Sequence, residues 1–127
     1  MNDIKFRAWD KIQNVMFNFD IYNVPPYVGQ TYLVGEKFER IYEIMQYTGL
    51  KDKNGAEIYE GDIVENASKD LKFQVVYEAP SFNRKWIDDI SERYREHLTE
   101  PLAWNTYIIC EVIGNIYENP ELLGDNQ

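Results

Sequence analysis

Thr48-Gly49-Leu50-Lys51-Asp52-Lys53-Asn54-Gly55 decides the fold class. Its Asn54-Gly55 pair is the strongest short hairpin signal available, since both residues tolerate the positive φ of a type I′ turn. The stretch before it, residues 38–48, is apolar on both faces, with Ile41, Met45 and Tyr47 alternating with Tyr42 and Ile44. It reads as a buried strand, although its period alone also admits a short helix. After the turn, Glu60-Gly61-Asp62 marks a second reversal that leads into a strand at Ile63 to Glu65. Leu71, Phe73, Val75 and Tyr77 then alternate with Lys72 and Gln74, the clearest half-buried strand of the chain.

The same alternation appears towards the N-terminus. Ile4, Phe6 and Ala8 share one face of a strand over residues 4–9, and Asp10 to Asn14 is a polar turn. Val15, Phe17 and Phe19 form the hairpin partner. Asn23-Val24-Pro25-Pro26 is loop, because paired prolines remove donors and restrict the residue before them. A short strand follows at Thr31 to Val34.

Pro80 to Pro101 breaks the pattern. Trp86, Ile87, Ile90, Tyr94 and Leu98 fall on one side of a helical wheel, and Asp88, Asp89, Glu92 and Glu96 fall opposite. Asn83 is placed as N-cap, Phe82 and Ile87 as a hydrophobic staple, and Pro101 as the stop. Arg84 and Lys85 oppose the helix dipole at that end. Tyr107 to Tyr117 is a mostly apolar strand with a bulge or bend at Gly114. Asn119-Pro120-Glu121-Leu122-Leu123 reads as an N-capped single turn with Pro at its first position.

The chain has 127 residues, 13 Lys and Arg against 22 Asp and Glu, one His and one Cys, for a formal charge of −9. That length fits a single domain over 1–127 able to bury a core without disulfides. Cys110 has no partner for an internal disulfide, and Cys-rich zinc sites and CxxC redox pairs are excluded. This suits a reducing cytosol. Met1 to Asp10 lacks the apolar stretch of a signal peptide, and no apolar run approaches the ~20 residues of a membrane helix. The negative balance disfavours general binding to nucleic-acid phosphates.

Three blocks carry a family resemblance. They are Ile4-Lys5-Phe6-Arg7-Ala8-Trp9-Asp10; Met45 through Gly55 with Glu57-Ile58-Tyr59-Glu60-Gly61-Asp62-Ile63-Val64; and Glu111-Val112-Ile113-Gly114-Asn115-Ile116-Tyr117-Glu118-Asn119-Pro120-Glu121-Leu122-Leu123. In order and wording they resemble the YopX family of small phage-encoded proteins, and they bracket nearly the whole chain. The middle, residues 66–105, departs more from that pattern, so the expected helix reads as an insertion. The resemblance implies a mainly β fold and a phage or prophage origin. It brings no catalytic residues with it.

The remaining motifs weaken on inspection. Asp52-Lys53-Asn54-Gly55 matches part of an EF-hand loop. With Gly55 at the sixth position, however, the first and twelfth fall on Leu50 and Gly61, where acidic ligands are needed. His97, beside Glu96 and Glu100, has no second His to share a metal; it reads as a helix-surface residue before a general base. Cys110 sits in the apolar run Ile108-Ile109-Cys110 and reads as a small buried hydrophobe before a reactive thiol. Glu60 and Asp62 read as solvated turn acids before a carboxylate pair. No GxSxG, P-loop or HExxH occurs. Tyr22, Tyr27, Tyr32 and Tyr47 suit core and contact surface equally.

The expectations are therefore a mainly β fold of β-hairpins and a small barrel-like or meander sheet, with one amphipathic helix near 83–98. Functionally, the chain reads as a cytoplasmic, non-enzymatic protein-interaction module without catalytic, metal or cofactor residues. Its partner would be a host or phage protein, met at Asp88, Asp89, Glu92 and Glu96, and self-association is allowed. The alternative is a β-barrel-like nucleic-acid-binding module, which needs Lys5, Arg7, Lys11 or Arg40 gathered beside exposed aromatics.

Overall fold

Alternating apolar residues and turn chemistry produce a mainly β protein. The structure, a computed structural model, describes residues 4–66, 72–78, 81–86, 99–101 and 110–124. The chain divides into two compact units, Met1–Tyr47 and Thr48–Gln127.

In the first unit, β1 (Lys5–Asp10) and β2 (Val15–Asp20) form the expected antiparallel hairpin, with Ala8 opposite Phe17. Asp10 Oδ1 accepts the N–H groups of Ile12 and Gln13, and Asn14 takes φ 58, so the polar turn is closed by its own side chain. A separate two-stranded sheet is made by β3 (Thr31–Val34) and β4 (Lys37–Arg40). The long strand β5 (Tyr42–Lys51) begins in this unit and pairs with the other side of β1, with Ala8 opposite Ile44. Residues 38–48 are thus two strands broken at Ile41, not one buried strand. In β5 only alternate side chains are buried: Met45 and Tyr47 are inside, while Ile44 and Gln46 face out. A strand covered on one side buries one face, whatever the other carries.

The second unit holds the end of β5, its neighbour β6 (Glu57–Tyr59), and a five-stranded sheet. In that sheet β7 (Asp62–Asn66), β8 (Lys72–Glu78), β9 (Ser81–Trp86) and β10 (Thr99–Pro101) run as a meander, and β11 (Cys110–Asn115) adds to the outer side of β7. The register between β11 and β7 shifts between Val112 and Gly114, which is the bulge expected there. A Cβ on Gly114 would lie 2.6 Å from Asn119 Oδ1 and 2.9 Å from Leu122 Cδ1. A methyl here would have to push both side chains aside. Ile58, Val64, Phe73, Val75 and Cys110 form the buried core, with Leu50 and Val112 packed on it. Cys110 is one of these buried hydrophobes.

Four local expectations are corrected. The helix near 83–98 does not begin where expected: Asn83–Trp86 belong to β9, paired with β8 from Glu78↔Ser81 to Phe73↔Trp86. Tyr77 lies directly opposite Phe82 with ring centroids 5.1 Å apart, a cross-strand aromatic pair that favours the ladder over a local N-cap. Pro101 ends no helix; it lies in β10 at the sheet edge, where a missing N–H is tolerated. Residues 87–98 lie outside the described residues. Asn54 does not take the positive φ of a type I′ turn; Gly55 alone does, at 84°. Asn119 holds the N-cap position of the 3-10 turn at Pro120–Leu123, with Pro120 at its start as expected, but makes no side-chain cap bond; its Oδ1 accepts the Asn115 N–H at 3.2 Å. Asp62 is buried, not solvated, and its Oδ2 accepts the Tyr59 N–H at 2.7 Å.

Candidate interaction surface

Several polar residues of the three sequence blocks hold turns. Asp52 is 3% exposed. Its Oδ1 accepts from Asn54 N at 2.8 Å and Ala56 N at 2.9 Å, and its Oδ2 from Val112 N at 2.8 Å. The Gly55 N–H donates to the Asp52 carbonyl and the Asp52 N–H to the Ala56 carbonyl, so the loop is a β-turn followed by a left-handed glycine. Lys53 N donates to the Cys110 carbonyl, and Asn54 Nδ2 to Glu111 Oε1. The β5–β6 turn therefore covers the outer edge of β11, which would otherwise present unpaired backbone groups. Asn115 does the same work one turn later: its Oδ1 accepts from Tyr117 N and Glu118 N, and its Nδ2 donates to Glu118. An Asp followed two residues later by Asn-Gly is legible as local turn chemistry. The bond from Asp52 to Val112 has no sequence signal, because it joins residues 60 apart.

Exposure lies elsewhere. Of the twelve large hydrophobic residues exposed among the described residues, all but Tyr77 belong to the first unit. That unit carries five Lys and Arg against six Asp and Glu, a formal charge of −1; residues 48–127 carry eight against sixteen, −8. The uncompensated acid is thus concentrated in the second unit, and the exposed apolar side chains in the nearly neutral first one.

The β3–β4 hairpin presents them most openly. Leu33 lies directly opposite Phe38, so both occupy one face, and they are 60% and 73% exposed. All of β4 is exposed. Tyr22, in the loop before the prolines, is 90% exposed. The tyrosines divide between roles: Tyr47 is buried, Tyr32 is half-buried, and Tyr27 packs its ring on Phe17 and Tyr42 at 6.1 and 5.5 Å. Burial, then the nearby Asp10 carboxylate and Tyr27, raise the Tyr42 phenol above its ordinary value.

Of Lys5, Arg7, Lys11 and Arg40, only Arg40 lies on this hairpin, two residues from Phe38. Arg7 is buried in β1, and Lys5 lies over the Tyr47 ring, 5.6 Å from its centroid. Lys11 Nζ is 3.0 Å from Glu43 Oε1, a hydrogen bond and ion pair that raises the lysine above its ordinary value. Arg40 is exposed at the end of β4. No group of three or more His, Cys, Asp and Glu suited to a metal occurs among the described residues, and no helix among them is long and apolar enough to cross a membrane. Asp88, Asp89, Glu92, Glu96 and His97 lie outside the described residues.

Comparison with known proteins supplies relatives. A family model described as YopX protein matches residues 5–124. The prophage-derived uncharacterised protein YopX of the SPbeta prophage in Bacillus subtilis is 33% identical over 69 residues, which is 54% of this chain and 52% of that protein. The aligned stretch thus spans about half of that relative's length. The crystal structure of protein EF1440 from Enterococcus faecalis superimposes with a TM-score of 0.66 at 28% identity, over 97% of this chain and 99% of that one.

Proposed function

This chain belongs to the YopX family, and on that premise we propose that it is a non-enzymatic protein-interaction module of phage origin, working in the bacterial cytosol on a host or phage protein. The observation that carries the reading is the Leu33–Phe38 pair, two large apolar side chains side by side in solvent on a hairpin that buries almost nothing of its own. Exposed apolar clusters of this kind mark contact surfaces. The buried carboxylates of Asp10, Asp52 and Asp62 already accept backbone N–H groups, which gives each a structural task. Asp88, Asp89, Glu92 and Glu96 remain the proposed acidic complement, a docking stripe for a basic partner.

The test is affinity capture from host lysate with and without nuclease, comparing the natural chain with Leu33→Ser/Phe38→Ser and with a variant amidated at all four acids. Capture that resists nuclease and is lost on the hairpin substitution supports the module; loss of its salt sensitivity on amidation supports the acidic stripe. Capture abolished by nuclease would replace the reading with nucleic-acid binding. Capture indifferent to both variants would remove these surfaces from it.

A further inference from the structure

The outer edge of β4 is a self-complementary strand, and we propose that two copies of this chain pair through it, antiparallel about a two-fold axis centred on Phe38. The residues involved are Glu36-Lys37-Phe38-Glu39-Arg40, whose charges run negative, positive, none, negative, positive. Read antiparallel against itself about Phe38, this segment sets Lys37 opposite Glu39 of the second copy and Glu36 opposite Arg40. Every charge meets its opposite, and by symmetry each pair occurs twice.

The backbone phase selects the same register. The hairpin is closed by the two-residue loop Gly35–Glu36, with Val34 opposite Lys37 and Gly35 at φ 63, as a type II′ turn requires. Such a loop closes on a hydrogen-bonded pair, and bonded pairs then recur at every second position. Val34/Lys37 and Tyr32/Glu39 therefore face each other's backbone groups, and the Ile41 N–H bonded to the Gln30 carbonyl continues the series. The N–H and C=O groups of Phe38 and Arg40 consequently point away from β3. Among the described residues this sheet has two strands, so they point to an open edge. A two-fold centred on Phe38 makes Phe38 and its copy a hydrogen-bonded pair. The neighbouring registers that this phase allows set Lys37 against Lys37 or Glu39 against Glu39.

Pairing also answers a deficit. A two-stranded hairpin is marginal by itself in water. Joining two gives a four-stranded sheet in which Leu33, Phe38 and their copies form one row across a face. Edge charges ordinarily discourage strand addition. Here they discourage every register but one. The inference goes beyond the partner reading, since pairing needs no other protein and stands or falls without one.

Sedimentation equilibrium of the full chain tests it, with three variants: Lys37→Glu, Glu39→Lys, and both together. The natural chain is expected to show a monomer–dimer equilibrium that weakens with salt. Either single reversal turns two attractive pairs repulsive and should weaken dimerisation about tenfold or more. The double variant should recover it. An equimolar mixture of the two single variants should form a heterodimer, because positions 37 and 39, both acidic in one variant and both basic in the other, then face each other. That result separates lost pairing from lost folding. A natural chain still monomeric at ~100 µM, or a dimer indifferent to the single reversals, overturns the proposal. Both substitutions leave Leu33 and Phe38 in place, so retained partner capture by a monomeric variant leaves the partner reading intact.

Discussion

Replacing Asp52 separates two tasks of one buried carboxylate. Oδ1 holds the turn through Asn54 N and Ala56 N, while Oδ2 holds β11 through Val112 N. Asp52→Asn can keep the first task with its amide oxygen. It then presents an NH2 donor to the Val112 donor, and the contact at 2.8 Å becomes a clash of like groups. A hydrogen bond to a charged acceptor contributes about 1.5–3 kcal/mol, and a stranded buried donor costs about 1–3. The expected loss for Asp52→Asn is about 2 kcal/mol. Asp52→Ala gives up all three bonds, and about 3–5 kcal/mol is expected after partial hydration of the loop N–H groups. Urea unfolding measures both losses from the shift in midpoint at constant slope. Amide hydrogen exchange distinguishes the tasks: Asp52→Asn should speed exchange at Val112 well before it affects Asn54 or Ala56. An Asp52→Asn variant within about 0.5 kcal/mol of the natural protein, with Val112 still protected, would refute the clamp.

Gly114→Ala should destabilise by about 1–3 kcal/mol, because the new methyl displaces the Asn119 carboxamide from the Asn115 N–H; thermal unfolding checks this, and combining it with Asn119→Ala should lose less than the sum of the two single changes. The Lys11–Glu43 pair is partly exposed, so its contribution is about 0.2–1 kcal/mol. The lysine is raised in the folded state, so that contribution is complete below its ordinary value of 10.5 and is lost as the pH climbs through the higher folded value. The stability difference between the natural protein and Lys11→Met should accordingly be constant around neutrality and vanish in strong alkali; a difference that survived there would assign the effect to packing of the lysine stem.

Much of the architecture is determined by local chemistry and was legible in the chain. The strands over residues 5–9 and 72–77 and the polar turn after Asp10 were legible from local pattern and turn chemistry, although β1 buries Arg7 to Asp10 on both faces and does not alternate. The three blocks also carried the family, whose model matches residues 5–124. What failed were readings in which two local solutions compete. Asn83 suits an N-cap, yet an open strand edge at β8 gave its backbone a longer ladder. Asn54-Gly55 suits a type I′ turn, yet the Asp52 carboxylate builds a different one around Gly55. The burial of Asp62, the reach of Asp52 to Val112 and the exposure of Phe38 were decided only by tertiary structure. Hydrogen-bond satisfaction and solvent exclusion depend on which strands meet, and residues 60 apart do not announce their meeting in the local pattern of either one.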